Sequence, residues 1–185
     1  MSGSKSKNKG NSFERELATF LSTKYGDSFV RAAHSGAYIG GTNTHRKEHL
    51  SENQIKSFKG DIIPPDTWTR FNAEAKSYAD FPFHLLLTGE CKVIDAWIGQ
   101  LMDVADPNDL NILFMKFNRK GRYIAVQSKL TWISDNFTYY TSKKHGDWMI
   151  FEFDSFFKYN IEILKAYSTD TTSKQKSNSQ LTIDI

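Results

Sequence analysis

The sequence is poor in cysteine and lacks any long apolar run. Its single cysteine, Cys91, has no partner within the chain, which excludes an internal disulfide. No apolar stretch approaches the roughly 18 residues that a membrane span needs. No apolar segment follows the basic start of the chain, as one would in a secretory signal. These absences predict a protein of the cytoplasm without a membrane contact.

The net charge is also small: 24 Lys and Arg residues nearly offset 21 Asp and Glu residues, which leaves +3. The hydrophobic fraction is 39% and the aromatic fraction is 14%, enough for a packed core. With 185 residues and no internal repeat, the chain is most simply one domain. We expect that domain over residues 11–167, between a flexible basic arm at 1–10 and a disordered polar tail at 168–185.

Basic residues concentrate in two places. The arm carries three lysines and no acid, and a polar stretch at about 36–59 reads as a long mobile loop rich in Lys, Arg and His. Both segments suit contacts with DNA phosphates, and both could equally be solvated surface. The candidate DNA-binding residues are Lys5, Lys7, Lys9, Arg46, Lys47, Lys56 and Lys59.

Hydrophobic periodicity predicts the order helix, strand, hairpin, helix, strands, helix. The predicted helices cover about 11–25, 91–105 and 154–167, and the predicted strands cover 28–33, 110–117, 122–126 and 148–153, with a hairpin at 60–77. This order indicates an α/β (α+β) fold in which helices flank a central mixed β-sheet. The apolar side of helix 91–105 could face the core or a dimer partner.

The hairpin at 60–77 holds the residues with the clearest chemical pattern. Two apolar runs flank the turn signal Pro64-Pro65-Asp66. Side chains two residues apart on a strand share a face, so Glu74 and Lys76 point the same way, and a pairing strand would bring Asp61 beside them. We therefore expect two carboxylates and one ammonium group to converge.

Glu14 is a third candidate carboxylate. At about 100° per residue it falls at the edge of the apolar side of the first helix. The alternative is that Glu14 closes a capping box with Asn11, three residues earlier.

Converging carboxylates and a lysine suit the hydrolysis of a phosphodiester. Mg²⁺ binds a few carboxylate oxygens and offsets charge on the phosphate, and a neighbouring lysine can orient the attacking water. Asp61, Glu74 and Glu14 would supply the oxygens, and Lys76 is the candidate lysine. Asp66 competes with Asp61 for the first position, but it is expected in the turn. Alternating charges on an exposed strand are common, however, so a purely structural role for this pattern stays open.

The same residues resemble the PD-(D/E)xK nuclease core, with a glycine in place of the usual proline before the aspartate. The nearest branch is the archaeal type of Holliday-junction resolvase, which also occurs in phages. Four short segments carry the resemblance: Lys9-Gly10-Asn11-Ser12-Phe13-Glu14-Arg15, Val30-Arg31-Ala32-Ala33-His34-Ser35-Gly36, Gly60-Asp61-Ile62-Ile63 and Glu74-Ala75-Lys76-Ser77. The loop between Ser35 and Asp61 is longer than in that branch.

The resemblance implies a restriction-endonuclease-like core, Glu14, Asp61 and Glu74 as ligands of Mg²⁺ (with Mn²⁺ able to substitute), and Lys76 as the catalytic lysine. It also implies a catalytic role for Ser35 and a DNA contact for Arg31. Such enzymes are homodimers that cut four-way DNA junctions, and a phage enzyme would work in the host cytoplasm. The open alternatives are another nuclease of this core, such as a flap, repair or recombination exonuclease, and a non-catalytic DNA-binding protein.

Overall fold

The computed structural model describes residues 3–33, 48 and 59–169, with side chains from Gly10 onward. Several predictions concern residues beyond that description. Ser35, Arg46, Lys47 and Lys56 lie outside the described residues, as do most of the predicted loop and the tail after residue 169. The backbone of Lys5, Lys7 and Lys9 is described but their side chains are not.

Five helices and seven strands make up the described chain. They are α1 (Gly3–Tyr25), β1 (Val30–Arg31), β2 (Ile62–Ile63), β3 (Phe71–Tyr78), α2 (His84–Leu87), α3 (Lys92–Asp103), β4 (Leu110–Phe117), β5 (Gly121–Gln127), β6 (Thr138–Ser142), β7 (Gly146–Glu152), α4 (Phe153–Tyr159) and α5 (Ile161–Ser168). Within these described ranges, no helix combines the length and apolarity needed to cross a bilayer.

The central sheet has five strands in the order β3-β4-β5-β7-β6. Strand β3 runs parallel to β4, and every other neighbouring pair is antiparallel. A separate two-stranded sheet joins β1 and β2. The mixed sheet with flanking helices confirms the predicted α+β fold.

Alternation along the strands divides the core into two layers. On β4, Ile112 and Phe114 pack on one side with α1, α4 and α5, whereas Leu113 and Met115 pack on the other side with α3. Helix α3 buries its apolar side chains in this second layer, namely Ile94, Trp97, Ile98 and Leu101. The apolar side of the predicted helix 91–105 therefore faces the core of its own chain.

Helix α1 begins earlier than the sequence predicts. Asn11 and Ser12 are favourable N-cap residues, but the helix already starts at Gly3 and passes through them. The Asn11 side chain is engaged elsewhere, because its Oδ1 accepts a hydrogen bond from the Arg31 guanidinium at 2.9 Å. The capping-box alternative for Glu14 is wrong, since Asn11 lies inside the helix. Residues 3–10 of the predicted basic arm are helical, and the flexibility of that arm stays a prediction.

The predicted hairpin at 60–77 is also wrong as a strand pairing. Strand β2 pairs antiparallel with β1, whereas β3 pairs in parallel with β4. Pro64 and Pro65 lack the N–H groups that an antiparallel ladder beside the turn would need. The two segments still meet, because the Asp61 N–H donates to the Ala73 carbonyl at 2.8 Å.

The C-terminal third contains a strand and a helix break that were not predicted. Strand β6 pairs with β7 across a turn ending at Gly146. The predicted single helix 154–167 is split at Asn160. The side chain of Asn160 is fully buried and binds the loop between β5 and β6. Its Nδ2 donates to the carbonyls of Ile133 and Phe156 at 2.7 and 2.9 Å, and its Oδ1 accepts from the Ile133 N–H at 2.8 Å.

We expect Asn160→Ala to lower the free energy of unfolding by about 2 kcal/mol, because it removes both hydrogen bonds that a fully buried side chain makes to the Ile133 backbone. Urea denaturation measures the difference. Asn136→Ala, at an exposed asparagine of the same loop, is the matched control and should change stability by less than about 0.5 kcal/mol. Equal effects of the two substitutions would show that Asn160 does not hold the loop.

Candidate active site

Asp61 is fixed against β3 at both its backbone and its side chain. Its N–H donates to the Ala73 carbonyl, and its Oδ2 accepts the Ala75 N–H, each at 2.8 Å. Its own carbonyl accepts the Ala32 N–H at 2.9 Å, which ties β3 to the segment after β1. Only 4% of Asp61 is exposed. These contacts place Asp61 beside the part of β3 that carries Glu74, although the pairing differs from a hairpin.

Gly60 makes this close approach possible. Its φ is +72°, and a Cβ at this position would lie 2.4 Å from the Ala73 carbonyl oxygen. That distance is far inside van der Waals contact with backbone that cannot swing away. The glycine that replaces the usual proline of the nuclease motif is therefore required by this geometry.

Glu74 and Lys76 share one face of β3, as the alternation predicts. The Lys76 ammonium lies 2.5 Å from Glu74 Oε1, and both side chains are mostly buried. Two neighbours on this face contact α3, because Asn72 donates to the Leu101 carbonyl and Tyr78 packs on Trp97. Glu74 and Lys76 therefore lie between two points where β3 is held against α3.

The pKa of Glu74 depends on its burial and on the charged groups around it. Burial raises the pKa of Glu74 from 4.5 to about 7, and the Asp61 and Glu14 carboxylates add to the increase. Lys76 acts in the opposite direction, but its effect is smaller. A buried carboxylate beside two others would gain from an additional positive charge.

Glu14 reaches the same region from α1, but its carboxylate binds an arginine. Glu14 Oε2 lies 2.5 Å from Arg31 Nε, and Asn11 accepts from the other end of the guanidinium. This fork joins α1 to β1 and fixes Arg31, whose side chain is 27% exposed. The predicted DNA contact of Arg31 would have to come from this held position.

The donor set is suited to a hard divalent cation, because it consists of carboxylates. Asp61 and Glu74 fit as two neighbouring ligands at the middle of β3. Glu14 would join them only after releasing Arg31. In the part of the chain that the structure describes, no three His, Cys, Asp or Glu side chains gather in an arrangement that could hold a metal ion.

Two acidic or basic candidates occupy other positions. Asp66 is exposed in the turn after the two prolines, away from the buried carboxylates. Lys59 was predicted to contact phosphate, but its ammonium is 8% exposed and forms ion pairs with Asp106, at 2.7 Å, and Asp109. An ammonium buried between two carboxylates cannot also grip a phosphate, so the prediction for Lys59 is wrong.

Sequence reasoning missed the residues that support the site. Asn11 was considered only as a cap, and Asp109 was not among the candidates, yet they hold Arg31 and Lys59. Lys59 lies two residues before Asp61, so its ion pairs anchor the start of the segment that carries the catalytic candidate. Neither contact leaves a local pattern, because each joins residues far apart in the chain.

We expect Gly60→Ala to lower the free energy of unfolding by at least about 3 kcal/mol, because a backbone clash adds to the strain of a positive φ. Gly146→Ala is the matched control: its φ is +71°, but nothing lies within 4 Å of the added Cβ. That substitution should cost only about 1–2 kcal/mol. Equal losses in chemical denaturation would contradict the close approach of Gly60 to Ala73.

We expect Glu74→Gln to stabilise the metal-free protein at pH 8 and to have little effect at pH 4. The folded-state pKa of Glu74 lies above its ordinary value of 4.5, so the folded protein binds the extra proton and loses stability as the pH rises from about 4.5 to 7. A shift of this size corresponds to at most about 3 kcal/mol.

Urea denaturation with a chelator at the two pH values measures this difference. Glu90→Gln is the control, because Glu90 is exposed and its pKa is lowered by the hydrogen bond from Lys143; it should bring no gain at pH 8. A Glu74→Gln effect that is the same at both pH values would contradict a burial cost of ionised Glu74.

Comparison with known proteins adds one finding. The model of a family described as "Phage putative PDDEXK endonuclease" matches residues 5–166, a range that extends from α1 into α5. No curated protein and no solved structure matches the chain. The matched range includes Glu14, Asp61, Glu74 and Lys76, the candidate residues on or near β3. The chain belongs to the phage PDDEXK endonuclease family, a branch of the PD-(D/E)xK nucleases.

Proposed function

We propose that the protein is a metal-dependent, structure-selective DNA endonuclease that hydrolyses phosphodiester bonds in four-way junctions. One observation carries the nuclease part of this proposal: Asp61, Glu74 and Lys76 converge on β3 in a chain of the PD-(D/E)xK type. The four motif segments that resemble archaeal and phage junction resolvases support the choice of substrate. By the same resemblance, two copies would act together as a homodimer in the cytoplasm of the host, during recombination or repair of DNA.

Asp61 and Glu74 would hold Mg²⁺, or Mn²⁺ in its place, and Glu14 would join them if Arg31 moved to the substrate. When bound, such an ion offsets the charge of the phosphate and lowers the pKa of a bound water. Lys76 lies beside Glu74 and would orient the attacking water and stabilise the charge that develops on the phosphate. Hydrolysis with in-line attack would leave a 5′-phosphate and a 3′-hydroxyl.

Contacts to the DNA backbone would come from basic residues around this site. Arg31 is the described candidate, since its guanidinium is fixed near Glu14 and remains partly exposed. We also propose such contacts for Lys5, Lys7, Lys9, Arg46, Lys47 and Lys56, and a place near the scissile phosphate for Ser35. Phosphate contacts position DNA without reading its sequence, so selectivity would come from the shape of the junction.

We expect the purified protein to cut a synthetic four-way junction with Mg²⁺ and to cut a flap, a linear duplex and single-stranded DNA at least about tenfold more slowly, a preference worth about 1.4 kcal/mol. Gel assays with end-labelled strands measure all four rates. Equal cutting of the linear duplex, or a preference for flaps, would contradict the junction as the substrate and indicate another type of nuclease with the same core. A protein inert with both Mg²⁺ and Mn²⁺ would instead be a DNA-binding protein.

Asp61→Asn tests the site itself. We expect it to reduce cleavage by at least about a thousandfold, or roughly 4 kcal/mol of barrier, while junction binding stays close to that of the unmodified chain. Asp66→Asn removes the same charge from the nearby exposed turn and should leave cleavage unchanged. Activity retained by Asp61→Asn and lost by Asp66→Asn would assign the catalytic carboxylate to the turn.

A further inference from the structure

Tyr78 is a half-exposed aromatic residue next to the candidate active site. It is the last residue of β3, two positions after Lys76, so the two side chains share a face about 6.6 Å apart along the strand. Its exposed fraction is 49%, whereas Trp97 beneath it is only 5% exposed. A large ring that remains accessible beside a buried lysine and glutamate is available to a substrate.

Tyr78 also ends a column of aromatic rings. Its ring centroid lies 4.9 Å from that of Trp97, with planes 31° apart. Trp97 packs at similar tilts on Phe81 and Phe117, which are themselves stacked at 5.0 Å and 22°. Trp97 packs against the Tyr78 ring at a tilt, and the side of the ring away from Trp97 is the place where a further ring could stack. A flat ring added there would extend the column.

We propose that Tyr78 is a stacking site for an unpaired nucleobase adjacent to the phosphate that is cut. This inference rests on the proposed nuclease function and narrows its substrates to DNA in which a base can leave its stack. Every base has a π-face, so stacking on an aromatic side chain tolerates all four bases and adds affinity without reading sequence. Four-way junctions, flaps and single strands offer such bases at lower cost than an intact duplex.

The column explains why Tyr78 suits this role better than a flexible surface residue would. Trp97 belongs to α3 and is held in the second core layer, so it fixes the orientation of the ring above it. A ring that is already oriented loses little conformational freedom when a base binds. Arg31, on the α1 side, could contact a phosphate while Tyr78 holds the neighbouring base.

The test measures binding of a short fluorescent oligothymidine by anisotropy, with a chelator present so that no strand is cut. We expect Tyr78→Leu to weaken binding about tenfold, because leucine still covers Trp97 but offers no π-face. Tyr78→Phe should stay within about twofold of the unmodified chain, since it keeps the ring. A 2-aminopurine in the oligonucleotide should be quenched by the unmodified chain and by Tyr78→Phe but not by Tyr78→Leu.

Tyr139→Leu is the matched control. Tyr139 is 60% exposed on β6, at the opposite edge of the sheet, and meets Phe137 edge-on at 89°. It should bind like the unmodified chain, and all variants should melt at similar temperatures. Unchanged binding by Tyr78→Leu, an equal loss in Tyr139→Leu, or no binding by the unmodified chain would each overturn the proposal.

Cleavage assays separate this inference from the nuclease proposal. Suppose that binding depends on the Tyr78 ring but the protein cuts none of the four substrates. This result would refute the nuclease proposal and support the stacking site. Conversely, efficient junction cleavage with no difference between Tyr78→Leu and the unmodified chain in binding would refute the stacking site alone.

Discussion

The two hydrogen bonds that Asp61 makes to the backbone of β3 are the constraint on which the site depends. They attach a two-stranded sheet to the edge of a five-stranded one, and they do so at the residue proposed to hold the metal ion. Gly60 permits the contact sterically, and Lys59 secures the chain just before it through Asp106 and Asp109. Three residues close together in the chain thus have separate tasks: Gly60 allows the close approach, Lys59 anchors the segment, and Asp61 contributes the candidate carboxylate.

The arrangement concentrates negative charge in a place with little water. Burial and the nearby carboxylates of Asp61 and Glu14 raise the pKa of Glu74. The protein compensates with Lys76 at Glu74 and Arg31 at Glu14, whereas Asp61 accepts the Ala75 N–H. A bound divalent ion would compete with these cations for the same oxygens, which couples metal binding to the positions of the two residues most useful to a phosphate.

Much of this could be predicted from sequence, for identifiable reasons. The alternation that places Glu74 and Lys76 on one face of a strand depends only on neighbouring residues, and so does the periodicity of β4 and α3. The structure confirms these local predictions. The hairpin prediction was wrong because a turn signal does not determine which strands pair. Strand β3 pairs with β4, which lies more than thirty residues further along the chain. The prediction for Lys59 was wrong because the sequence shows its positive charge but not its burial against Asp109. Asn160 interrupts a helix by binding a distant loop, which leaves no signal in helical periodicity.

The hydrogen bond from Ala32 to Asp61 brings together two chain positions that flank a long intervening segment. Because both ends of that segment are fixed to the same small sheet, its length and composition can change without displacing the carboxylate. Related proteins could therefore vary much of this segment while keeping the Asp61 carboxylate in place. In evolutionary terms, the small sheet would tolerate changes between its two strands.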